Sequence, residues 1–173
     1  MSIYFGASSE WQHGAGVTEG GKILQVKMGT KTSASSYSTG GSWVNCGISE
    51  SITPSSSSHK VLVQFYIGKI SCNDWSGATR LLRGGTVIAM GDSASSRARI
   101  GTSFPRSHDD NHWGGTSLCW LDSPSTTVST EYKIQVNGHS SGTVYINRGH
   151  GDGNSSDVYA GRSATAIILM EVG

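Results

Sequence analysis

Thr165-Ala166-Ile167-Ile168-Leu169-Met170-Glu171-Val172 is the stretch that decides the fold. In an extended chain, successive side chains point to opposite faces. One face of this segment then carries Ala166, Ile168, Met170 and Val172, and the other Ile167 and Leu169. A strand apolar on both sides reads as the centre of a sheet, or as one that another subunit covers.

The rest of the chain keeps the same two-residue period. Lys60 to Ile67 sets Val61, Val63, Phe65 and Ile67 on one face and Leu62, Gln64 and Tyr66 on the other. Thr130 to Val136 turns Tyr132, Ile134 and Val136 inward. Thr143 to Asn147 follows a turn over 137–142. Further candidate strands are Lys22–Met28, Ser42–Cys46, Ile48–Thr53, Ala78–Leu82, Thr86–Met90, Arg97–Thr102 and Thr116–Leu121. Turn chemistry separates them: Gly40-Gly41, Pro54 with Ser55 to Ser58, Gly114-Gly115, and Asp122-Ser123-Pro124. Gly84-Gly85 predicts a tight hairpin. No window shows the apolar stripe of a helix, so helix is confined to a turn or two. About ten short strands at this spacing predict an all-β antiparallel sandwich or barrel. This domain spans 22–173, and the Gly-rich segment 1–21 reads as an extended arm.

Composition narrows the function. The 173 residues suit one domain. Gly at 24 residues, with 30 Ser and 14 Thr, would suggest disorder, but five Trp, six Tyr and the β-branched runs can build a core. A net charge of +1 gives no basic surface for nucleic acid and no polybasic patch for a membrane. No apolar run reaches the length of a membrane span. Met1 to His13 lacks the basic-then-apolar pattern of a secretory signal, so synthesis in the cytoplasm is expected. Cys46, Cys72 and Cys119 are unpatterned and fit small side chains in a reducing compartment.

The candidate chemistry is sparse. His108-Asp109-Asp110-Asn111-His112 has metal-ligating types, but its spacing converges only on a helix, and it reads as a loop. His150 to Asp157 has the composition of a calcium loop without its ligand order. No nucleophile elbow, carboxylate pair or phosphate loop stands out, so neither an enzyme nor a cofactor is expected. Trp75, beside Asn73 and Asp74, and Trp113, beside His112, sit in polar loops. An aromatic ring there can stack on a sugar or anchor a protein. With His108, Asp109 and Asp110 these residues form the candidate receptor-binding loops. Glu50 shares a face with Ile48 and Ile52, where an unpaired charge would be costly.

Six segments in order carry a resemblance. They are Ile48-x-Glu50-x-Ile52-Thr53-Pro54-Ser55-Ser56, Lys60-Val61-Leu62-Val63, Leu121-Asp122-Ser123-Pro124-Ser125-Thr126-Thr127, Tyr132-Lys133-Ile134-Gln135-Val136, Thr143-Val144-Tyr145-Ile146-Asn147-Arg148 and Ser163 to Val172. Together they resemble a group of bacteriophage virion proteins, common in marine phages, built as jelly rolls of the tumour-necrosis-factor type. Glu50 departs from that pattern, where an aliphatic residue is usual. The resemblance implies a jelly roll that assembles as a homotrimer and serves as a fibre tip or capsid decoration, with host attachment as a further role. It also implies other virion proteins as partners and the virion as location. The candidate trimer interface is Ile168, Met170, Val172 and Trp120. The candidate virion anchor is Ile3, Tyr4, Phe5 and Trp11, on an arm able to span about 65 Å. A host-surface glycan is a further candidate partner. The alternative function is a carbohydrate-binding, lectin-like sandwich.

Overall fold

Alternation along the chain becomes two antiparallel sheets packed face to face. The computed structural model describes residues 21–106 and 112–173. Its strands are β1 (Ile23–Lys31), β2 (Ser35–Ser38), β3 (Val44–Ile52), β4 (Lys60–Cys72), β5 (Ser76–Arg83), β6 (Thr86–Ile88), β7 (Thr102–Pro105), β8 (Gly114–Asp122), β9 (Thr130–Gly138), β10 (Thr143–Ile146) and β11 (Thr165–Val172). A single 3-10 turn, Val158–Ala160, precedes β11. The anchor candidates Ile3, Tyr4, Phe5 and Trp11 lie outside the described residues, as do His108, Asp109 and Asp110.

The long strand β4 organises the first sheet. Residues 60–67 pair with β11 and with β8, so these two occupy opposite edges of β4. Ile70 pairs with Ile146 of β10 and Gly114 of β8, which puts β10 on the β11 side. β1 then flanks β11, and β2 flanks β10. The first sheet therefore runs β1-β11-β4-β8, with β10 and β2 continuing it beyond β11. The second runs β3-β9-β5, with β6 and β7 sharing the far edge of β5. From β3 to β5, and again from β8 to β10, the strands alternate between the sheets. This is the connectivity of a jelly-roll-like sandwich.

The faces fall as the alternation requires. Val61, Val63, Phe65 and Ile67 from β4, and Ile167 and Leu169 from β11, meet Tyr132, Ile134 and Val136 from β9 in one buried core. Gly84-Gly85 makes the two-residue turn between Arg83 and Thr86, and Gly84 takes a φ of +56° that favours glycine. Where two strands were expected over Ser42–Thr53, one strand, β3, runs through a register shift between Asn45 and Ser49. The expected strand Arg97–Thr102 lies instead at Thr102–Pro105, against the start of β5. β2 comes from a Ser-rich stretch that reads as loop. It is held by its pairing with β10 and by the Tyr37 hydroxyl, which donates to the Cys46 carbonyl at 2.6 Å.

Gly77 shows how tightly the sandwich closes. A Cβ at this position would overlap the Phe104 ring and crowd the Asn137 carbonyl oxygen. Phe104 is itself core, so it has nowhere to retreat. Gly77→Ala should lower stability by about 2 kcal/mol, read as a drop in the urea midpoint at unchanged slope.

Both ends of the described chain meet at one pole. Lys22 and Gly173 exchange two backbone hydrogen bonds of 2.9 Å. β4 begins at that pole, opposite Val172, and its twelve steps to Cys72 carry it about 40 Å to the other.

Candidate interaction surfaces

The outer face of the first sheet is the least water-compatible surface of the molecule. Register places its side chains in rows. Val26, Met170, Leu62 and Leu121 stand side by side, as do Met28, Ile168, Gln64 and Cys119, and Thr30, Ala166, Tyr66 and Ser117. A fourth row adds Val172 beside Lys60, the one charge in these four rows. Met28 is 57% exposed and Tyr66 56%. Four strands about 4.8 Å apart and seven residues long make a footprint of roughly 400 Å². That falls within the range of the largest apolar patch on a soluble monomer, a size that is often functional. Tyr66 stands between two shallow depressions of about 350 and 400 Å³. Ala166 lines both, Ile168 one and Met28 the other.

The second sheet presents the opposite character. Its outer face carries Asn45, Ser49 and Ser51 from β3, and Glu131, Lys133, Gln135 and Asn137 from β9. Gln135 donates to Asn45 and accepts from Arg80, whose guanidinium also lies over the Trp43 ring. Antiparallel sheets commonly show this polar face to solvent. Only the first sheet lacks one.

Ile168, Met170 and Val172 all lie on the apolar face. Trp120 does not join them. It pairs with Val63 and points to the core side, yet it stays 43% exposed. The second sheet covers β8 thinly, because β6 has three residues and β7 four. Among the described residues β8 pairs only with β4, and from Gly114 to Leu121 it carries no charge and no proline. Such an edge lacks the usual guards against further strand pairing.

The described residues of the candidate receptor loops gather at the pole remote from Lys22 and Gly173, but they form two places. At the β4–β5 turn Trp75 is 71% exposed. The turn beneath it is pinned: the Trp75 amide donates to Asp74 Oδ1 at 2.8 Å, and Asn73 Oδ1 accepts from the Thr143 amide at 2.7 Å. His139, from the β9–β10 turn, brings its Nδ1 within 3.6 Å of Asp74 Oδ2. No local pattern marks His139, since only the topology lays that turn beside Asp74. Trp113, with His112, belongs to a separate place. Its ring lies 4.7 Å from the buried Lys69 ammonium, which also donates to the Tyr159 and Gly161 carbonyls. Lys69 thus clamps the segment before β11. In that segment Asp152 bridges Arg148 at 3.3 Å and Arg162 at 2.5 Å. Among the described residues no three His, Cys, Asp or Glu side chains gather to hold a metal ion.

Two buried polar networks brace the frame. Glu171 points inward and is 1% exposed. Gln25 Nε2 donates to it at 2.6 Å, the Ser55 amide and hydroxyl each at 2.7 Å, and His59 Nδ1 lies 2.7 Å away. The Gln25 amide, then His59 and Ser55, hold its pKa down to about 2 against the opposing effect of burial. Near the end of β8, Asp122 takes both oxygens to Arg83 and a 2.7 Å bond from the Tyr132 hydroxyl. Burial, then that hydrogen bond, pushes the Tyr132 pKa up. Glu50 resolves differently. It sits half-buried on the inward side of β3, beside Gly29, and accepts from the Ser51 amide at 2.9 Å. No protein-family model and no curated protein matches this chain.

Proposed function

We propose that this chain is a non-enzymatic structural protein that assembles as a homotrimer and forms a fibre tip or decoration on a bacteriophage particle. The apolar outer face of the β1-β11-β4-β8 sheet carries the proposal. Three features favour a second copy as its occupant. The face has almost no charge, so it offers a charged partner nothing to match. It carries both a projecting ring, Tyr66, and recesses of a size to receive such a ring. And the same subunit has a second, separate apolar surface, the unguarded β8 edge with Trp120. A face and an edge that do not coincide suit a head-to-tail contact, and such a contact makes a closed ring of three when each copy is turned by a third of a circle. The number three, the phage particle and its other proteins as partners come from the sequence resemblance. The polarity of the fold suits display, since the loops with Trp75 and Trp113 lie about 40 Å from the pole where residue 22 begins.

Mass in solution tests the assembly directly. The expected result is three chains at micromolar concentration. Cys119 supplies an independent readout. It is the exposed thiol and sits on the apolar face, whereas Cys46 and Cys72 are fully buried. Burial also pushes the Cys46 pKa up to about 12. A maleimide should label Cys119 slowly at high protein concentration and quickly on dilution. A monomer that labels at one rate throughout overturns the assembly. For the particle, loss of residues 1–21 should give a folded protein that no longer joins virions. Incorporation without that segment would remove its anchoring role. A carbohydrate-binding module is the second reading, favoured by the exposure of Trp75.

A further inference from the structure

We infer that the β4–β5 turn, together with His139 of the β9–β10 turn, forms a binding site for a neutral pyranose. The inference rests on the reading that this pole faces outward from the assembly. It narrows the candidate loops to Asn73, Asp74, Trp75 and His139, and leaves Trp113 out.

Exposed tryptophan is ordinarily mobile apolar surface with an unfavourable hydration cost. Here the ring is mounted on a turn whose backbone is fixed on both sides. Asp74 caps the Trp75 amide, Asn73 ties the turn to Thr143, and the His139 amide donates to the Ser76 carbonyl at 2.9 Å. The backbone that carries the ring therefore has little ordering left to lose on binding. The C–H face of a pyranose is flat and apolar and stacks on an indole, while its hydroxyls need donors and acceptors at the ring's margin. The turn supplies both. Asp74 is a carboxylate acceptor. The His139 imidazole is more than half exposed. The Asn73 side-chain oxygen holds the Thr143 amide, and its nitrogen makes no hydrogen bond to the described residues. With Asp74 at the centre, an anionic sugar would be repelled, so the ligand class is neutral. The ring of Trp113 lacks this setting, since one face of it is occupied by Lys69.

The test is a titration of the full chain with the methyl glycosides of glucose, galactose and N-acetylglucosamine. It follows the tryptophan indole N–H signals by NMR, the Trp75 signal being identified as the one missing from Trp75→Phe. Saturable movement of the Trp75 signal by at least one glycoside is expected, with Kd on the order of millimolar for one stacked ring. Read in all variants through the backbone amide signals of the turn, Trp75→Ala should weaken binding at least about tenfold, Trp75→Phe should restore part of it, and His139→Ala should cost about threefold. No movement with any of the three up to about 100 mM overturns the site. So does undiminished binding by Trp75→Ala, and so does Trp75-dependent capture of a protein without any effect of the glycosides. The mass of Trp75→Ala separates this outcome from the proposed assembly. If sugar binding fails while the chain stays trimeric, only the sugar site falls.

Discussion

Ile168→Glu should turn the assembled protein into folded single chains. Ile168 points out of the first sheet, between Met28 and Gln64, in the middle of the apolar face. A carboxylate there is harmless to a lone subunit, because water reaches it. In an apolar contact between copies it would be buried without a partner, which costs roughly 3 kcal/mol per copy, or about a hundredfold in each contact. The neighbouring residue provides the control. Leu169 points into the core and is fully buried. Leu169→Glu should abolish the folded state, since adjacent strand residues face opposite sides. Mass measurement and circular dichroism read the two variants together. Ile168→Glu should keep the native spectrum and lose two thirds of the mass. If it keeps the full mass, the outer face is not where copies meet.

The second large effect is expected at Glu171→Gln. The carboxylate draws together β1 through Gln25 and the β3–β4 loop through Ser55 and His59. An amide of the same shape presents a donor where two acceptor oxygens are needed, and strands at least one of those groups in the interior. The expected loss is about 3 kcal/mol, measured by urea unfolding at neutral pH. Acid should do to the native protein what the substitution does. The Glu171 pKa falls from its ordinary 4.5 to about 2 on folding. Its contribution is therefore complete above pH 4.5 and drains away as pH falls toward 2. Glu171→Gln should flatten that part of the stability profile. A variant whose stability still falls as steeply between pH 4.5 and 2 would assign the acid sensitivity to another carboxylate.

Much of the sandwich is legible in the chain because its strands obey a strict period. Val61, Val63, Phe65 and Ile67 alternate with Leu62, Gln64 and Tyr66, and the core forms on the side this alternation marks. The Gly84-Gly85 turn announces its hairpin for the same local reason. What escapes the sequence is what depends on distant partners. β2 has the composition of a loop and becomes a strand because β10 offers it a ladder. Glu171 looks like an interruption of an apolar run, but Gln25 from β1 and Ser55 and His59 from the β3–β4 loop converge on it. Trp120 has the phase of a core residue, and only the brevity of β6 and β7 leaves it uncovered. His139 joins Asp74 because two turns end at the same pole.

The backbone pair between Lys22 and Gly173 means that the sandwich is nearly a closed loop of chain. A short linker across that gap, with new ends cut at Gly84-Gly85, would make a circular permutant that keeps every strand pairing. Cargo fused after Gly173, or joined directly before Lys22, would depart from the same pole and leave the Trp75 turn clear. The protein is in this sense a one-sided mount, which can be rewired from below without disturbing what it holds up.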